Sequence, residues 1–98
     1  MITVTTHISE SLARQNPEAL TCDGLEEALV GWCFRATKPE VAVYDHEKCL
    51  EIFMERDGMT FDEAIEHLHY NVIGAWMGEN TPVFLVNGAD LELSLIHI

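Results

Sequence analysis

The chain has 98 residues, 48% of them hydrophobic, which gives room for one small domain with a modest core and is too apolar for a disordered tract. Seventeen acidic against five basic side chains leave a formal charge of −12, which repels nucleic-acid phosphates and anionic membrane surfaces and so disfavours both as direct partners. No apolar run is long enough to span a bilayer and no basic, apolar leader opens the chain, so the expected setting is the cytoplasm.

Read from the N-terminus, Ile2, Val4, Thr6 and Ile8 alternate as in an edge strand, and residues 9–21 are polar and broken by Asn16-Pro17. Asp23, with Glu26 three residues later, opens a helix expected over 25–36, where Leu25, Ala28, Leu29, Trp32 and Ala36 repeat at the helical period. VAVY at 41–44, behind Lys38-Pro39, reads as a buried strand. Asp45 ends it and caps a helix over 46–56, its carboxylate accepting from the free amide of Glu47 or Lys48, and Asp57-Gly58 provides the left-handed exit.

Thr60 and Glu63 fit a capping box, with Met59 placed to staple onto Ala64. Phe61, Ala64, Ile65, Leu68, Val72, Ala75 and Trp76 form one apolar stripe until Gly78, and Gly74 inside that helix suggests close approach of another backbone. VFLV at 83–86, behind Thr81-Pro82, reads as a second buried strand, and Asn87-Gly88 is a hairpin signal toward Leu91, Leu93, Leu95 and Ile96. The expected fold is therefore α+β, a small single domain over 1–92 with about three helices packed on a two- to three-stranded sheet around a β-α-α-β core at 41–86. LSLIHI at 93–98 resembles the translated end of a transposase adapter used in sequencing libraries, which makes 93–98 an artefactual tail and places the natural divergence at or before Leu93.

No residue set meets the demands of a known chemistry. The three cysteines, Cys22, Cys33 and Cys49, lack CxxC spacing and fit reduced thiols, with Cys33 and Cys49 expected to be partly buried and inert. Glu63 and His67 share a helix face, whereas His69 lies about 160° around the axis from His67. Two ligands fall short of the three or four of a zinc site, and Asp45, His46 and Glu47 are accounted for as a capped helix start, so no metal or other cofactor is expected. GxSxG, a phosphate-binding glycine loop and HExxH are missing from the sequence, so no catalytic residue is assigned.

Binding is the preferred class, with a small enzyme or ligand-binding protein using a pocket around Tyr44, Asp45, Lys48 and Asn71 as the alternative. Asn71 lies about 80° from the stripe centre, at a border where its amide can fasten the Glu79-Asn80-Thr81 turn or join Tyr44, Asp45 and Lys48 in a small polar pocket; the structural role is preferred, because buried amides mostly satisfy backbone groups. Ile73 lies about 120° and Tyr70 about 180° from that centre, which points them toward a protein partner or a second copy of the chain, unless another segment of the chain covers that face. Binding residues are thus sought among Tyr44, Asp45, Lys48, Tyr70, Asn71, Ile73, Glu79 and Asn80. An acidic surface that imitates DNA is a further reading of the charge, beside the plainer one of solubility.

VAVYDHEKCLEIF, RDGMTFDEAIEH and NVIGAWMGENTPVF, which cover about half the chain, resemble a widespread family of short bacteriophage-encoded proteins without an established activity. Tyr44, Asp45, Lys48, Asn71, Gly74, Trp76, Gly78, Glu79, Thr81 and Pro82 occupy the positions of its pattern. His67-Leu68-His69 departs from it, where an acidic and aromatic stretch is expected. The resemblance implies a phage protein in the host cytoplasm and supplies no catalytic residues to carry over; with Tyr70 and Ile73 facing outward, the expected function is stoichiometric binding to a host protein.

Overall fold

The computed structural model describes residues 4–75 and 77–86. Three helices and a three-stranded mixed sheet make an α+β domain: α1 (Val4–Gln15), a 3-10 turn at Glu26–Ala28, β1 (Leu29–Arg35), β2 (Lys38–Asp45), α2 (His46–Asp57), α3 (Phe61–His67), a π-helical turn at Leu68–Ile73 and β3 (Val83–Leu85). Strand order is β1-β2-β3, with β1 and β2 antiparallel and β2 and β3 parallel. A parallel neighbour requires a crossover, and α2 with α3 supplies it. The expected β-α-α-β core is this β2-α2-α3-β3 unit, but β3, expected to be buried, is the last strand in the sheet order and turns only Phe84 to the core, with Val83 and Leu85 exposed.

Local signals explain that unit. Asp45 caps α2 by accepting from Lys48 N, and Gly58 closes the helix with φ 68°. Thr60 and Glu63 form the reciprocal capping box of α3, Thr60 N donating to Glu63 Oε1 at 2.9 Å and Glu63 N to Thr60 Oγ1 at 3.2 Å. α2 buries Cys49, Leu50, Ile52 and Phe53, which meet Ala42 and Tyr44 of β2 and Ala64 and Leu68 beyond them in one core.

Upstream of β2 the structure corrects the sequence reading. The described part of the expected edge strand is α1, which places Leu12 in the core and Ile8 against it, one helical turn apart. The expected helix over 25–36 is a single 3-10 turn followed by β1. Its Leu29 pairs with Tyr44 and its Trp32 with Ala42, and register shifts between Leu29 and Gly31 and between Cys33 and Arg35 spoil the alternation that would mark a strand. Those bulges let a strand carry apolar residues at a helix-like spacing. Pairing with β2 and the β-favouring run VGWCF then outweigh the weak helical period. α1 lies against β1 and β2, its Ser11 hydroxyl accepting from Trp32 Nε1 at 3.1 Å.

The helix expected to run from 61 to 77 also differs. Regular α-helix ends at His67, and Gly74 N reaches back five residues to His69 O at 2.9 Å. Wider turns advance fewer degrees per residue, so the stripe rotates: Ala75 is exposed, and Ile73 packs partly against the core. Gly74 is crowded by its own turn, since a Cβ there would stand 2.9 Å from His69 O and 3.2 Å from Tyr70 O, so the expected approach of another backbone is replaced by this one. Trp76, the Asn87-Gly88 hairpin, its returning strand and the 93–98 tail lie outside the described residues.

Candidate functional site

The residues singled out from the sequence do not converge. Tyr44 is buried on β2, stacked on Phe84 at 5.7 Å, and its hydroxyl accepts from Cys22 N at 2.8 Å. Asp45 is occupied as the α2 cap, and Lys48 Nζ pairs with Glu51 of its own helix at 3.4 Å. Asn71 turns instead to His67, its Nδ2 lying 3.2 Å from His67 Nδ1. Among the described residues no hydrogen bond links Asn71 to Tyr44, Asp45 or Lys48, so the polar pocket drawn from the sequence does not form as drawn.

The 79–81 turn is fastened by other residues. Asn16, 8% exposed, donates from Nδ2 to Glu40 O and to Asn80 Oδ1, each at 2.8 Å, while its Oδ1 accepts from Glu18 N. Leu20 N adds a bond to Asn80 O, Arg35 donates to Glu79 O, and Lys38 pairs with Glu79 at 3.1 Å. Asn16 thus performs the fastening expected of Asn71. Its place just before Pro17 was legible only as a break in a polar segment, because its partners are 24 and 64 residues away.

Tyr70 and Asn71 do come together, in an open groove with Met59, Glu63, Glu66 and His67. Tyr70 is 77% exposed. Hydrogen bonding from the Thr60 backbone N–H, then from its hydroxyl, holds the Glu63 carboxyl below its ordinary range, so the groove keeps a fixed negative charge near an exposed aromatic ring. The π turn produces this face, presenting Tyr70 outward while Leu68 is wholly buried. Phe34, also 77% exposed, stands on edge strand β1, its ring edge-on to Trp32 at 4.9 Å. It was missed because its segment reads as a helix.

On the other side of Asn71 is a cavity of about 330 Å³, walled mainly by apolar side chains including Leu25, Phe53, Val72 and Phe84, with Cys22 and Asn71 among its polar groups. Burial pushes the Cys22 thiol up, against a hydrogen bond with Tyr44 that lowers it, and Asp23 raises it further. Burial likewise pushes the Cys49 thiol to about 12. Both sulfurs are held in the poorly nucleophilic thiol form. Arg56, at the cavity's edge, is engaged by Gly24 O and Asp57, which leaves its charge compensated.

No group of three or more histidine, cysteine, aspartate or glutamate side chains is arranged to hold a metal ion among the described residues, and no helix there is long and apolar enough to cross a membrane. His67 and His69 diverge as the helical angle requires: His67 packs edge-on against Phe53, and His69 meets His46. Compared with known proteins, the chain matches no family model, no curated protein and no solved structure.

Proposed function

We propose that this protein acts stoichiometrically, by binding a host protein through the groove that carries Tyr70 and Asn71. One observation carries the reading: a large aromatic side chain stands 77% exposed beside Met59 and two glutamates, on a helical turn whose opposite side is locked into the core. Aromatic anchors on a rigid backbone contribute most of the energy at many interfaces, and fixed carboxylates around one favour a partner with basic side chains. The net charge of −12 acts in the same direction at longer range by raising the association rate with a basic surface. A phage setting and a cytoplasmic location are supported by the resemblance of residues 41–84 to short phage-encoded proteins.

The test compares wild-type protein with Tyr70→Ala and Asp45→Ala in affinity capture, followed by titration with the purified partner. One protein bound at fixed stoichiometry, at least about tenfold more weakly by Tyr70→Ala and equally by the folded Asp45→Ala variant, supports the reading. Capture indifferent to Tyr70 overturns it. A second reading is favoured by the apolar cavity: at about 330 Å³ it falls in the range of small-molecule sites, so the protein is a ligand carrier or sensor in that case. Filling it with Val72→Phe separates the two, because host-protein capture survives and ligand uptake does not.

A further inference from the structure

His46 begins α2 and His69 lies in the π turn after α3, yet their Nε2 atoms are 2.8 Å apart. Their ring centroids are 5.0 Å apart and their planes are inclined at 69°. The centroid separation is close to the nitrogen separation plus the distance from each nitrogen to its own ring centre. The two nitrogens therefore face each other along one line, as in a linear hydrogen bond. A chelated ion would need both lone pairs to converge on a point beside that line.

We infer that His46 and His69 share a single proton and act as an acid-sensitive latch between the start of α2 and the turn that follows α3. In the neutral pair one Nε2 carries the hydrogen and the other accepts it. A first added proton leaves an imidazolium donating to an imidazole, a stronger, charge-assisted bond. Glu47 Oε1 stands 4.0 Å from His46 Nδ1, on the side away from His69, and Nδ1 is buried without a hydrogen-bond partner. The cation is therefore best placed on His46, with the glutamate facing its free N–H.

A second proton puts an N–H and a positive charge on both facing nitrogens. No acceptor remains between them, and the rings must separate. Of the charged groups recorded around the pair, Glu47 on α2 attracts the first proton, while Asp45 at the end of β2 is committed to Lys48 N and is not aimed between the rings. In strong acid the folded chain with its latch closed thus holds one proton fewer than the unfolded chain. Stability must fall as pH falls through the second protonation, and the latch must open.

The latch is tested by imidazole nitrogen resonances in the full chain, followed from neutral to acid pH. A scalar coupling between the two Nε2 nuclei across the hydrogen bond is expected at neutral pH, retained after uptake of one proton and lost on uptake of the second. Amide protection in the α2 start and in the Leu68–Ile73 turn should fall in that same second step. His69→Gln removes one titrating ring, and the acid step in stability should weaken by one proton. His46→Gln gives the same result from the other side, should the first variant not fold. Two independent protonations without coupling overturn the inference, as does an acid step unchanged in the variants or a tight one-to-one zinc complex formed by the two rings at neutral pH.

Discussion

The two halves of the molecule were specified in different ways. From Asp45 onward each helix carries its own start and stop: Asp45 accepts from Lys48 N, Gly58 exits left-handed, and Thr60 and Glu63 satisfy each other's backbone. From Val4 to Arg35 such local marks are sparse, and the elements are decided by distant partners, Leu29 by Tyr44, Trp32 by Ala42 and Ser11, and Asn16 by Glu40 and Asn80. A motif confined to four consecutive residues can be read in a sequence. A contact across 24 or 64 residues cannot.

The largest expected effect tests whether the halves share one core, because the groups concerned sit where they meet. Tyr44, at the end of the strand that leads into the legible half, and Cys49 within that half face Cys22 of the other, and burial pushes both to about 12 from ordinary values of 10.0 and 9.0. Raised folded values mean that the unfolded chain releases these protons first. Stability is then complete below about pH 9, falls as pH rises between the ordinary and folded values, and is lost as pH approaches 12. With two groups acting on a marginally stable domain, alkaline unfolding is expected before pH 12 in urea titrations at stepped pH. Tyr44→Phe should be less stable at neutral pH, having orphaned Cys22 N, but should show a shallower alkaline decline.

Leu12→Ala asks the same question from the illegible side. Leu12 is 2% exposed although α1 shows little helical signature beyond the Ile8 and Leu12 spacing. Truncating a fully buried leucine costs about 2–5 kcal/mol, so the denaturant midpoint should drop as far as it does for Leu50→Ala on α2. A much smaller drop would mean that α1 is an accessory to a core complete without it.

Asn16→Ala sharpens the comparison to one side chain. It removes bonds to Glu40 O and Asn80 Oδ1 and should cost about 1–3 kcal/mol, whereas Asn71→Ala, at an exposed position bonded to His67, should change thermal stability little. Equal effects would return to Asn71 the anchoring role that the sequence suggested. That reversal also shows what limits a reading of the site. Helical angles placed Tyr70 correctly on an outward face, because three residues beyond His67 accumulate little error. Ile73 and Ala75 were misplaced because the π turn slows the rotation, and its mark, the bond from Gly74 N to His69 O, is a matter of backbone geometry that no side-chain spacing announces. The His46 and His69 contact was hidden for a related reason: each histidine looks ordinary on its own helix, and only the crossover brings them face to face.

The caps test the legible half directly. Asp45→Ala and Thr60→Ala should each cost about 0.5–2 kcal/mol by urea denaturation. Thr60→Ala should also remove the hydroxyl's smaller contribution to the Glu63 carboxylate while leaving the backbone N–H that donates to it, so the pKa of that group, followed by carboxyl NMR, should rise part of the way toward its ordinary value. An unchanged Glu63 titration would show that the backbone N–H alone holds the charge of the Tyr70 groove.

The smallest effect concerns the point where the halves join. Arg35 pairs with Lys38, so Ala36 and Thr37 alone turn β1 into β2, and Thr37 takes φ 62°. A β-branched residue in the left-handed region costs roughly 1–2 kcal/mol, which glycine avoids while giving back roughly 0.5–1 kcal/mol in unfolded-state entropy. Asparagine tolerates the region with less of that entropic loss. Thr37→Asn should therefore raise the melting temperature by a few degrees, and Thr37→Gly by less. This turn is a local feature of the N-terminal half, and relieving it should stabilise the β1-β2 pairing without altering any distant contact. Should both variants melt below wild type, the threonine hydroxyl contributes more to the turn than its backbone strain costs, and even this junction would be governed by contacts that its φ angle does not reveal.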